Sequence, residues 1–108
     1  MSRLYNMGVE ISGFSAARVE DIKTAAEEEW PFGDWAEREG ELTSLAESTL
    51  CGGETEDEFA DRLAKAIWTA NNAFCLVTVH ATCLEHLPCE IHSRDESDYD
   101  RLLKDDEA

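Results

Sequence analysis

Basic residues are scarce in this chain. Nine Lys and Arg stand against 25 Asp and Glu over 108 residues, which gives a formal net charge of -16 at pH 7. Because phosphate contacts need clustered Lys and Arg, this balance argues against direct binding to nucleic acid or to anionic membranes. It leaves three interpretations open: a partner with a basic surface, divalent cations, or a charge that only keeps the protein soluble.

Long apolar runs and targeting patterns are also missing. No stretch approaches the ~20 apolar residues of a membrane span. The N-terminal residues Met1, Ser2, Arg3 and Leu4 lack the basic-then-apolar pattern of a signal peptide. We therefore predict a cytoplasmic protein whose four cysteines stay reduced. The length predicts one domain over residues 1–103, followed by an acidic C-terminal tail at 104–108.

Hydrophobic periodicity predicts an α+β fold in the order β-α-β-α-β-β, with a short final helix that ends at Leu103. The predicted strands cover residues 3–12, 41–50, 74–84 and 89–93. The predicted helices cover residues 15–29 and 55–72, with Ser15 and Thr55 as their N-caps. The small sheet is expected to be mostly antiparallel with two helices on one face, because helices and sheet each have one apolar side. The remaining segments are predicted as a loop at 31–40 and turns at 51–53 and 85–88.

Enzyme signatures are missing as well. The glycine turn at Gly52 and Gly53 precedes a helix, but it lacks the lysine of a phosphate-binding loop. No cysteine has the electropositive neighbourhood that a reactive thiolate requires. Carboxylate pairs are so numerous that their presence carries no information about acid–base catalysis. We therefore predict no catalytic site and no cofactor.

Histidines and cysteines do form one conspicuous run, in which each residue is three positions from the next: His80, Cys83, His86, Cys89 and His92. In a strand, residues three apart lie on opposite faces, so the five cannot converge on one ion. The simplest interpretation of this run is that its cysteines are thiols in the core and its histidines are imidazoles on the surface.

A hairpin with Leu87 opposite Glu85 would bring part of the run together. Cys83 and Cys89 would then face each other as buried, small hydrophobic residues. His80 and His92 would face each other on the opposite side of the sheet, with Glu90 as a third ligand. Zinc requires three or four ligands, so this trio is the minimal metal-binding hypothesis.

Aromatic residues interleave with acids where the first long helix ends. Trp30, Phe32 and Trp35 lie in this segment. Aromatic anchors among acids suit an interface with a basic partner. The candidate partner-binding residues are Glu27, Glu28, Glu29, Asp34, Trp35, Glu37 and Glu39. The alternative is that Trp30 and Trp35 cap the core and the acids are merely solvated.

Three segments carry a resemblance to a known group of proteins: Leu50–Ala60, which reads LCGGETEDEFA, the triplet Ala66–Trp68, and Ala81–Pro88, which reads ATCLEHLP. They resemble a family of small acidic proteins carried by bacterial phages, plasmids and integrative elements, over roughly residues 41–101. No catalytic motif accompanies these segments. The resemblance implies that Cys83 and Cys89 fill space and do not bind metal.

Small acidic proteins of mobile elements include inhibitors of host defence, some of which resemble DNA in their charge. We therefore expect a non-catalytic binding protein that engages a basic surface of a host nucleic-acid-binding machine, as anti-CRISPR or anti-restriction proteins do. Two alternatives remain. One is a metal-binding accessory protein that uses His80 and His92. The other is a homo-oligomeric subunit, such as a homodimer, whose mate covers the outward-facing Leu76 and Leu84.

Overall fold

The computed structural model describes residues 3–50, 54–83 and 89–107. Its strands are β1 (Arg3–Ser12), β2 (Ala36–Arg38), β3 (Glu41–Leu50), β4 (Leu76–Cys83) and β5 (Cys89–Arg94). Its helices are α1 (Val19–Glu29), α2 (Glu56–Asn71) and α3 (Glu96–Glu107). The five strands form one sheet in the order β2-β3-β1-β4-β5, and every neighbouring pair is antiparallel. The α+β class is confirmed, and the predicted turns at 51–53 and 85–88 lie outside the described residues.

The alternation of apolar and polar residues along β1 places its apolar side chains in the core. Tyr5, Met7, Val9 and Ile11 are all buried, and the register places Met7 level with an alanine on each neighbouring strand. These positions define the inner face of the sheet, whose side chains share one apolar core with those of α1 and α2. On the other side, which we call the open face, the strand side chains are exposed or half-buried. The sheet therefore buries one face and leaves the other accessible.

A complete capping box begins α2, as predicted. The Glu58 backbone N–H donates to Thr55 Oγ1 at 3.1 Å, and the Thr55 N–H donates to Glu58 Oε1 at 2.9 Å. Both hydrogen bonds satisfy backbone donors that the helix leaves without partners. The predicted apolar stripe is buried at Phe59 and Leu63. The helix ends at Asn71 and is followed by Asn72, whose backbone is left-handed with a φ of 61°.

The predicted N-cap of the first helix is wrong. The Ser15 side chain makes no capping hydrogen bond, and a 3₁₀ turn at Ala16–Arg18 separates it from α1. Instead, the Ser15 backbone N–H donates to the side-chain oxygen of Asn71 at 2.8 Å. The Ser15 backbone is therefore held by a long-range partner on α2, and its side chain does not cap α1.

Residues 31–40 contain β2, where the sequence predicts only a loop, so the element order has an extra strand. The two-residue turn into β3 consists of Glu39 and Gly40, whose φ values of 52° and 78° are both positive. This is the pattern of a type I′ hairpin, which twists in the same sense as its strands. Glutamate is not the usual first residue of that turn, so the sequence signal is weak.

The last helix is longer than predicted, since α3 continues to Glu107 instead of ending at Leu103. Its first turn is closed by reciprocal hydrogen bonds in which the Asp95 and Asp98 carboxylates each accept the other residue's N–H. Tyr99 anchors it with its ring 5.2 Å from that of Trp68. None of the helices in the described part of the chain is long and apolar enough to cross a membrane.

Candidate functional site

The register between β4 and β5 differs by one residue from the predicted hairpin. His80 lies opposite Ile91, and Val79 lies opposite His92. Because side chains alternate along a strand, this single step moves every β5 side chain to the other face. His80 is consequently on the open face and His92 is on the inner face.

The metal-binding hypothesis is therefore wrong for His80, His92 and Glu90. His80 Nε2 contacts the carboxylate of Glu10 on the open face. On the inner face, His92 lies 3.2 Å from a Glu90 oxygen and 3.5 Å from Asp57 Oδ1. Among residues 3–50, 54–83 and 89–107, no three His, Cys, Asp or Glu side chains are grouped to hold a metal ion.

The register also separates the two cysteines that were expected to face each other. Cys83 is buried on the inner face, as predicted, whereas Cys89 lies opposite Thr82 and is exposed. The expectation that both thiols fill space is thus wrong for Cys89. His86, the central member of the run, lies outside the described residues.

Arg94 explains why β5 adopts this register. It lies opposite Val77 on the inner face, where its Nε donates to Asp61 Oδ1 at 2.7 Å and its Nη2 donates to Asp57 Oδ1 at 2.5 Å. Burial acts to lower the pKa of Arg94, but the hydrogen bonds to Asp61 and Asp57 outweigh it and raise that pKa. The same contact lowers the pKa of Asp57. A buried guanidinium with two carboxylates outweighs the burial of Ile91, which is left exposed.

Sequence reasoning missed Arg94 as a residue that organises this region. Its signal was the spacing of Asp57 and Asp61, which are four residues apart and therefore share one side of α2. Two carboxylates at this spacing repel each other and favour a cation between them, and Arg94, whose own side chain is buried, supplies it from β5.

Five of the candidate partner-binding residues lie along one edge of the molecule. Trp35 Nε1 donates to Glu27 Oε2 at 2.8 Å, and its ring packs 5.7 Å from that of Phe32. The other members follow along the chain into the β2 hairpin and are exposed. We call this set the acidic corner: Glu27, Asp34, Trp35, Glu37 and Glu39.

The other two candidates point away from the acidic corner. Glu29 Oε1 lies 3.3 Å from Arg62 Nε on α2. Glu28 lines a groove of about 370 Å³ between α1 and α2, with Lys65 on its far side. Successive helical residues are about 100° apart, so the Glu27–Glu29 run cannot present one surface.

Charge is distributed unevenly between helices and strands. The three helices contain fifteen acidic and five basic residues, whereas the five strands contain five acidic and three basic residues. Several basic side chains of the helices already form ion pairs with acidic residues of the same helix, such as Lys23 with Glu20 at 3.6 Å and Arg101 with Asp98 at 3.0 Å. Unbalanced negative charge is thus concentrated on the helices.

Comparison of the chain with protein-family models, curated proteins and solved structures gave no match.

Proposed function

We propose that the protein is a non-catalytic binding module that engages a basic protein surface through its helices and the acidic corner. The observation that carries the proposal is the division of charge, with fifteen acidic and five basic residues on the helices. Such a one-sided field steers a cationic partner toward one side of the molecule and orients it before contact.

The acidic corner supplies what a bare acidic surface lacks, namely an oriented aromatic side chain. Trp35 is half-buried against the core, and its indole N–H is held by Glu27. Tryptophan is enriched among the residues that dominate binding energy, and a pre-oriented ring loses little entropy on association. Within the described part of the chain, Glu37 and Glu39 make no ion pair, so each can accept a partner's Lys or Arg.

The partner that fits this chemistry is a protein whose basic groove ordinarily binds nucleic acid. Carboxylates of the helices and the acidic corner would occupy the Lys and Arg that contact phosphates. The module would then act as an inhibitor of a host nucleic-acid-binding defence machine, of the anti-CRISPR or anti-restriction type. The resemblance to acidic proteins of mobile elements supports this finer form by analogy alone.

The test is capture of partners from a bacterial lysate by the tagged protein at low and high salt, with duplex DNA as competitor. We expect a nucleic-acid-binding protein, identified by mass spectrometry, that is released by DNA and by salt. The double variant Glu37→Lys/Glu39→Lys should lose this protein. The control Glu41→Lys/Glu47→Lys has the same net charge, changes exposed residues of β3, and should retain it.

Two outcomes would contradict the proposal. If DNA displaces no captured protein, the acidic charge does not compete for a nucleic-acid groove. If the two double variants lose the partner equally, net charge alone governs capture and the acidic corner has no special role.

A further inference from the structure

The open face carries all the exposed large hydrophobic side chains of the described residues. They are Leu4, Leu45, Leu76 and Ile91, with exposures of 41, 63, 40 and 62%. Scattered exposed leucines are ordinary, but four on one face of one sheet form a coherent surface. None of them belongs to the helices or to the acidic corner.

Two of these residues lie at the same level of the sheet, on either side of a glycine. Leu45 on β3 is opposite Gly8 on β1, Gly8 is opposite His80 on β4, and His80 is opposite Ile91 on β5. Gly8 has no side chain, and Leu45 Cδ1 lies 3.2 Å from where a Cβ would stand. Leu45 therefore leans toward Gly8, and the side chains that stand out along this row are those of Leu45 and Ile91.

We propose that two copies of this chain pair open face to open face, about a two-fold axis that runs parallel to the strands between β1 and β4. This axis places β3 of one copy over β5 of the other and β1 over β4. Leu45 then meets Ile91 of the second copy, and His80 lies over Gly8, which has no side chain of its own. Because the axis generates each contact twice, the surface is complementary to itself, as an isologous dimer requires.

The open face is the side of the molecule on which a second copy meets the least like-charge repulsion. Each chain carries a net charge of -16, so two copies repel through most of their surfaces. On the strands of the open face, the charged residues are only Glu10, Arg38, Glu41 and Glu47, and Glu10 already contacts His80. The same axis brings neutral polar residues together elsewhere, such as Thr43 with Ser93 and Asn6 with Thr82. This arrangement points the acidic helices of the two copies away from each other.

The size of the face suits a weak dimer. The axis brings four strands of each copy into contact, β3, β1, β4 and β5, which have 10, 10, 8 and 6 residues. At ~4.8 Å between strands and ~3.4 Å per residue, they cover on the order of 550 Å² per copy. Two such faces bury about 1,100 Å², which is slightly below the range of stable specific interfaces. Sheet packing with aligned strands is a common arrangement, and the axis keeps the two sets of strands aligned. We therefore expect a reversible dimer of modest affinity.

The test is sedimentation equilibrium of the full chain over a concentration series. Wild type should form a dimer, and Leu45→Glu or Ile91→Lys alone should weaken it by about tenfold or more, because each buries an unpaired charge twice. An equimolar mixture of the two variants should form a heterodimer, since the carboxylate introduced at position 45 of one copy then meets the ammonium introduced at position 91 of the other. Thermal unfolding checks that each exposed substitution leaves the fold intact, and Glu20→Lys on α1 is the control that should leave dimerisation unchanged.

The effect of salt concentration distinguishes the dimer from the complex of the proposed function. Added salt should strengthen the dimer by screening repulsion, whereas it should weaken a complex with a basic partner. Wild type that stays monomeric throughout, or single variants that dimerise as well as wild type, would overturn the inference and leave the proposed function untouched. A mixture that forms no heterodimer would overturn the axis.

Discussion

Arg94 Nε donates a hydrogen bond to Asp61 Oδ1 across 2.7 Å, which fastens the edge strand β5 to α2. The arginine side chain is only 8% exposed, while its second partner, Asp57, is 69% exposed. The ion pair between Arg94 and Asp57 is therefore neither fully exposed to solvent nor fully buried. Its direct consequence is the register of β5, and hence the separation of His80 from His92.

Replacing Arg94 with methionine should lower the free energy of unfolding by about 2 kcal/mol, because Asp61 loses its hydrogen-bond donor in a half-buried position. Urea denaturation monitored by circular dichroism measures this change. Arg38→Met is the control, since Arg38 lies on the short edge strand, is exposed, and forms no ion pair with any described residue. We expect the control to stay within about 0.5 kcal/mol of wild type. Equal effects of both changes would show that Arg94 acts only as one more surface charge.

Stability should depend on pH through Asp57. The Arg94 hydrogen bond lowers the pKa of Asp57 in the folded state. A carboxylate with a depressed folded pKa stabilises the protein above its unfolded pKa of about 3.9, and that stabilisation is lost as pH falls through the folded pKa. Wild type should therefore lose stability below about pH 4, and Arg94→Met should lose less over the same range. Urea midpoints at successive pH values test this, and parallel curves for the two proteins would contradict it.

Asn71 should be one of the most sensitive polar positions. Its side chain is buried, accepts from the Ser15 N–H at 2.8 Å, and donates from Nδ2 to the Ala73 carbonyl at 3.0 Å. Asn71→Ala should cost about 2 kcal/mol, because it leaves these backbone groups without partners. The matched control is Asn6→Ala on the open face, which we expect to change stability by less than about 0.5 kcal/mol. Thermal unfolding of both variants measures the difference.

The cysteines should differ sharply in reactivity. Burial raises the pKa of the Cys75 thiol to about 12, and Cys83 is also buried, whereas Cys89 is exposed. Because the thiolate is the reactive form, iodoacetamide at about pH 8 should modify Cys89 and leave Cys75 and Cys83 unmodified until urea unfolds the chain. Peptide mass mapping resolves the individual sites. Modification of Cys75 at the rate of Cys89 under native conditions would contradict its burial.

Local patterns predicted the parts of the fold that local interactions determine. The alternation of Tyr5 through Ile11 describes β1, and the Thr55–Glu58 capping box gives the start of α2 to within a residue. In both cases the decisive contacts lie within a few positions of each other. Period and capping chemistry can be read directly from such segments.

The rest depended on contacts that are distant in sequence. The register of β5 follows from Arg94 and two carboxylates on α2, 37 and 33 positions earlier. The apolar character of Ile91 favoured the other register, but the ion pairs of Arg94 outweigh the burial of Ile91. Similarly, Ser15 is held by Asn71, 56 positions away, and not by a cap of its own. The acidic corner forms because Trp35 folds back onto Glu27, which the spacing of the acids alone does not reveal.

A sheet that is covered on one face only has a consequence for valency. The molecule measures 37 × 35 × 20 Å, and side chains of α1 and α2 share the core on the inner face of the sheet. If two open faces pair, α1 and α2 of one copy and those of the other lie on the two outer sides of the paired sheets. Such a particle cannot place both acidic surfaces on one partner. It would instead tether two basic partners to each other, so that one small protein could both occupy a groove and bring its targets together.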